Sequence, residues 1–431
     1  MKRVFVLSVL SVLFVLPLSA QSLDDRVSRE LNTLLDTYKT LHATPELSMQ
    51  EAKTSAFVAQ RLRQLGYEVT EKVGKYQDPS ATCYGVVAVM KNGAGPTLLV
   101  RSDMDALPVA EQTGLAYASQ NAGVMHACGH DVHMTTLLGT AKLLADLKSQ
   151  WKGTLILIGQ PAEEVVKGAE GMLKDDLYAR FGTPDYAIAL HDWSALEVGK
   201  IGYRAGEFMA ATDSVNITIR GVGGHGAAPH TTKDPVVLAA ETILALQTII
   251  SRERPPLKPA VVTVGKIEGG TKRNIIPDEV KLYLTVRTFD PAVRQTTLDS
   301  IQRIPKGLAM AAGLPADRAP VYEHVDHESV AATYNDPALT ARVAAAMTRE
   351  LGKDNVVEVD PAMVSEDFGL FGLNRKIPTA LLVIGAADAA ALSAGTQPGL
   401  HSSKFAPADP ALALRTGIRA ATSAVLDLLK R

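Results

Sequence analysis

Two short apolar runs with no polar face narrow the fold more than anything else in this chain. Thr154-Leu-Ile-Leu-Ile158 and Ala187-Ile-Ala-Leu190 lack the alternation of a half-exposed strand, so each reads as a strand covered on both sides. A sheet of such strands needs helices on both faces. The neighbouring segments supply them. Residues 23–65 carry apolar positions three and four apart, with a break at Ala43-Thr44-Pro45, and read as two helices. Residues 85–91 and 97–102 read as strands and 134–150 as a helix. This order predicts an α/β catalytic domain with a mostly parallel sheet.

Beyond Gly206 the pattern changes. Residues 214–220, 261–267 and 279–288 alternate, and helical spacing covers 235–251 and 291–312. Strand, helix, strand, strand, helix with half-exposed strands describes a small α+β, ferredoxin-like unit. After it, 338–351, 380–384 and 408–430 return to the earlier style. We therefore expect a catalytic domain in two parts, 21–206 and 314–431, interrupted by an inserted lid at 207–313.

Residues 1–20 stand apart. Lys2 and Arg3 precede an apolar run from Val4 to Leu18, and small Ser19 and Ala20 lead into polar Gln21 and Ser22. That layout predicts a signal peptide cleaved after Ala20 and a mature chain exported to the periplasm or secreted. The run is short for a bilayer span, so no stable membrane anchor is expected. The formal charge of −2 offers no basic footprint for nucleic acid. Only Cys83 and Cys128 are present, which excludes a disulfide framework.

The ten histidines are unevenly placed. His126, His130 and His133 share one stretch, M-H-A-C-G-H-D-V-H, with Cys128 and Asp131. A Cys and a His separated by Gly bring a thiolate and an imidazole to one cation at a bend, while His133 supports a ligand from one turn further on. Asp103 and Asp105 leave the end of an apolar strand, where α/β sheets bind ligands. Glu163 and Glu164 end the next one, and adjacent carboxylates suit a division of labour in which one ligates and the other takes a proton from water. His191 and His401 fall at comparable positions. In the insertion, Gly221-Val-Gly-Gly-His225 presents His225 as an oxyanion donor, and it lacks the pattern of a phosphate loop. Asn274 is a second neutral donor. Arg287 reads either as a carboxylate clamp or as a surface salt bridge.

Taken together, RSDMDALP, TGLAYAS, HACGHDVH, QPAEE, GVGGHGAAPH, VGKIEGGTKRNIIPD, VRTFD, SEDF and LHSSKF resemble, in order, the amidohydrolase branch of the dinuclear aminoacylase/carboxypeptidase family. The resemblance implies two divalent ions, Zn²⁺ or Mn²⁺, held by Cys128, His130, Glu164, His191 and His401. It implies Glu163 as general base, Asp105 as the carboxylate that orients a ligand, and His225 as the oxyanion residue, often supplied by a partner subunit. A homodimer through the lid and a small N-acyl-amino acid or short peptide substrate follow, bound in part by Asn274 and Arg287. The family often has Pro shortly after the His191 position and Arg-Ala-Asp where this chain has Arg101-Ser-Asp103; neither change removes a ligand. A di- or carboxypeptidase would use the same machinery. A secreted binding protein on this fold would have no use for an intact Glu163.

Overall fold

The computed structural model describes residues 21–430; the expected leader lies outside them. The first part contains helices α1 (Leu23–Ala43) and α2 (Ala52–Gln64), strands β1 (Glu68–Lys75), β2 (Thr82–Asn92) and β3 (Thr97–Asp103), and helix α3 (His130–Asp146). Strands β4 (Gly153–Gln160), β5 (Tyr186–Glu197) and β6 (Ile201–Tyr203) follow. The insertion contains β7 (Ala211–Arg220), α4 (Pro235–Thr248), β8 (Ala260–Gly269), β9 (Glu279–Thr288), α5 (Pro291–Ala311) and β10 (Val321–His324). The chain then returns through α6 (Pro337–Leu351), β11 (Val356–Glu358), β12 (Thr379–Ala387) and α7 (Pro410–Leu428).

Eight strands form one sheet in the order β1-β2-β4-β3-β5-β12-β6-β11. Its centre, β4-β3-β5-β12, is parallel, as the apolar runs require, and antiparallel pairs flank it. One apolar core lies under α2, α3, α6 and α7, and a second covers the opposite face around Met172, Phe208, Phe368 and Phe371. The sequence reading missed β1, whose residues are mostly polar and half-exposed.

Helix starts are written locally. Ser22 and Asp25 form a capping box at α1. Helices α4, α5, α6 and α7 each open on Asp-Pro, at Asp234, Asp290, Asp336 and Asp409. In each, the Asp side chain accepts a backbone N–H, and Pro occupies the first turn, where it forfeits no helical bond.

The lid sheet runs β8-β9-β7-β10 around a core of its own. This corrects the expected boundary at 313, because β10 pairs with β7 from Val321 to His324. Four residues are too short a run to show a period. One helix of the lid, Pro235–Glu253, is long and apolar enough by composition to cross a membrane. Leu238, Ala239, Leu246 and Ile249 on it pack into the lid core.

Candidate metal centre

The parallel strands β3 and β4 end beside His191, which lies within β5 and not at its end as expected, so Asp103, the Glu163–Glu164 turn and His191 converge at one edge of the sheet. Helix α3 and the turn into it bring Cys128, His130 and His133, and a turn near the C-terminal helix brings His401. Helix α3 begins at His130, four residues earlier than the sequence suggests, and is buried on nearly every side. Gly129 turns the chain into it with φ +79°. A Cβ at that position would lie 2.5 Å from the Asp192 carboxylate, so only glycine serves there.

Donor atoms of Cys128, His130 and Glu164 lie within 4.8 Å of one another. Cys128 Sγ is 3.5 Å from His191 Nε2, and Glu164 Oε2 is 3.4 Å from His401 Nε2. His130 donates its Nδ1–H to the backbone oxygen of Asp105 (2.8 Å), and His191 donates its own to that of Asp192 (2.7 Å). Both rings therefore turn an Nε2 lone pair inward, as ligating histidines do. His133 differs, since its Nδ1 bonds Asp103 (2.6 Å) and its Nε2 accepts the Asp192 N–H (2.7 Å). It braces the site, with neither nitrogen left for an ion.

The donor set fits divalent cations. His130 Nε2, Glu164 Oε1 and Asp105 Oδ1 are buried and have no hydrogen-bond partner. Burial, then the Glu164 and Glu163 carboxylates, push the Cys128 thiol well up. Burial, Glu366 and Glu164 raise Glu163 well above the usual carboxylate range. Acids and a thiol buried together must be neutralised by protons or by a cation, and a bound cation is what lets them stay ionised as ligands.

Asp105 contacts His130 chiefly through its backbone oxygen; its carboxylate Oδ1 is 3.4 Å from Nδ1. Its Oδ2 instead accepts from Ser48 Oγ (2.6 Å) and from Glu164 N (3.0 Å), so it fixes the acidic turn as well as the ring. His401 has φ +65° and is tied by its N–H to Ala127 (2.8 Å). The two cysteines are both free and buried.

A cavity of about 410 Å³ opens over these groups, lined by Cys128, Glu163, Glu164, His191 and His401 and by Trp193, Met209, Met363, Val364 and Leu400. Arg287 reaches it from the lid, donating to Ser365 Oγ. Among the described residues it has no ion-pair partner, which removes the salt-bridge reading. His225 and Asn274 do not line this cavity. His225 pairs with Ile275 in a two-residue ladder at an exposed edge of the lid, and Asn274 accepts the Gly226 N–H beside it. Within one chain, the structure brings together the five ligand positions, Glu163, Asp105 and Arg287, and leaves His225 and Asn274 outside.

Sequence reasoning missed the buried base of the site. Arg101 donates to Gln160, Asp103, Glu366 and Asp367, and Glu366 and Asp367 belong to the SEDF motif, which had no role assigned to it.

Residues 99–420 match the signature of Peptidase family M20/M25/M40. The chain is 37% identical over 358 residues to an N-acetyl-L-cysteine deacetylase of Bacillus subtilis, covering 83% of this chain and 82% of that protein. It is 39% identical over 348 residues to a hippurate hydrolase of Campylobacter jejuni, covering 79% and 85%. Its fold superposes with a TM-score of 0.76 on the Bacillus subtilis YXEP protein, described as a dinuclear metal binding peptidase from the M20 family, at 29% identity over 93% and 99% of the two chains.

Proposed function

The chain belongs to peptidase family M20/M25/M40, and from that premise we propose that it releases amino acids from N-acyl-amino acids or related conjugates by metal-dependent amide hydrolysis. The observation that carries this reading is the pair of inward-facing Nε2 atoms of His130 and His191 beside Cys128, Glu164 and His401. Those five side chains would hold two divalent ions, with Glu163 beside them as base. When bound, such ions acidify a water and polarise the amide carbonyl. The Cys128 thiolate favours zinc, while the imidazoles and Glu164 accept manganese equally.

Glu163 takes the proton of the attacking water and returns it to the departing amine nitrogen. Its burial among carboxylates raises its proton affinity in the direction this task needs. Arg287, half-buried and without an ionic partner among the described residues, receives the substrate carboxylate bidentately. Trp193, Met209 and Leu400 face the acyl group. His225 and Asn274 complete the oxyanion and carboxylate contacts from a second subunit, because their own chain holds them at a lid edge away from the cavity.

A homodimer through the lid agrees with the surface there. Val237, Leu244, Ile267 and Ile275 are 55%, 72%, 57% and 46% exposed on α4, β8 and the His225 ladder, apolar side chains that a second copy would cover. The leader-like residues 1–20 support work in the periplasm or outside the cell.

A panel of N-acyl-amino acids and dipeptides, each with and without chelator, tests the function. Chelator-sensitive release of amino acid, faster from the acylated substrates, is expected. Faster cleavage of dipeptides would make it a peptidase, and no cleavage of any amide would refute the reading.

A further inference from the structure

We propose that Glu51 is a positioning residue that sets the turn carrying Glu163 and Glu164, an inference that rests on the reading of Glu163 as base. Glu51 precedes α2, 111 residues before Ala162 in sequence, and is completely buried. Its Oε1 accepts the Ala162 N–H (2.9 Å) and the Met49 N–H (2.8 Å). Ala162 and Met49 both have positive φ, +52° and +66°. Side chains other than glycine hold that conformation only where the surroundings impose it.

The turn has ties of its own on its far side, where Val166 N reaches Glu163 O and Lys167 N reaches Ala162 O. The N–H that enters the turn, at Ala162, is held by Glu51. Two residues on, the Glu164 N–H is held by Asp105, which Ser48 braces in turn. One short segment, Ser48 to Glu51, thus fixes the backbone on both sides of Glu163 and sets where the two acidic side chains point. A shift of about 1 Å at such a position can cost about a hundredfold in rate.

What Glu51 supplies is an acceptor oxygen. Its Oε2 is buried with no partner, and burial and the Asp105 carboxylate push its carboxyl up to about 8. A neutral amide of the same shape should therefore replace it, and an apolar isostere should not.

The test compares wild type, Glu51→Gln and Glu51→Leu for kcat and KM on an N-acyl-amino acid, and for zinc retained against a competing chelator. Glu51→Gln is expected to stay within threefold of wild type in every quantity. Glu51→Leu is expected to lose at least a hundredfold in kcat, with KM within threefold, and to release zinc at tenfold lower chelator. A folded Glu51→Leu with wild-type kcat and zinc retention would overturn the proposal, as would a folded Glu51→Gln that loses a hundredfold in kcat. Should Glu51→Leu not fold, the Glu51→Gln arm decides alone. Zinc retention needs no substrate, so a wild type inactive on every amide would defeat the reading of Glu163 while the retention arms still judge Glu51.

Discussion

Arg101 and Glu366, 265 residues apart in sequence, meet beneath the site, the two terminal guanidinium nitrogens donating one to each carboxylate oxygen, at 3.2 and 2.8 Å. Both are buried, and Asp103 and Asp367 share the same guanidinium. Arg101→Met would leave three carboxylates buried without their cation. Loss of one partner from such a group costs ~3–5 kcal/mol, and denaturant unfolding should show that loss. A change below ~1 kcal/mol would mean the acids relax into neutral forms at little cost.

A second buried pair gives a pH signature. His42 bonds Asp131 through Nδ1 (2.7 Å) and Glu111 through Nε2 (3.1 Å). Burial opposes the charged ring, yet the two carboxylates prevail and raise His42 to about 9. The folded chain thus favours protonated His42. Its stabilisation is complete below the ordinary histidine value near 6.5 and disappears as pH rises through 9. Between pH 6 and 9.5, wild type should lose on the order of 3 kcal/mol relative to His42→Gln. Parallel stability curves for the two proteins would dismiss the ion pair.

Arg287 is read as the carboxylate clamp, so Arg287→Ala should raise KM for an N-acyl-amino acid roughly 10–100-fold, the value of about 1.5–3 kcal/mol for a bond to a charged group. An N-acyl amine lacking the carboxylate should not notice the change. Equal losses on both substrates would assign Arg287 to the lid structure instead.

His225 tests the subunit arrangement. His225→Ala should lose about 10²–10³ in kcat with unchanged metal content, since it touches no ligand within its own chain. Mixed with Glu163→Gln protein, it should recover part of the activity, because one hybrid site has both groups intact. No recovery after demonstrated subunit exchange would place His225 in its own chain's site.

The legible parts of the sequence were those with local signatures. Non-alternating runs announced β4 and β5, Asp-Pro marked helix starts, and the dense Cys128–His133 stretch pointed to the ions. Arg101 and Glu51 were illegible for one reason: each acts on groups far along the chain, Glu51 on a backbone N–H that has no side-chain identity to read. The lid boundary failed because β10 is four residues of pairing with no period. His225 could be named but not placed, since its own chain holds it at an exposed lid edge and nothing local in the sequence says which site it serves.

Turnover by Glu163→Gln, measured beside its metal content, decides whether Glu163 is the base. The amide keeps the size of the carboxylate but cannot take the proton. With Glu163 as base, metal occupancy is expected to stay at the wild-type level while kcat on an N-acyl-amino acid falls by at least about 10². A metal-replete Glu163→Gln protein turning over near the wild-type rate would contradict that role.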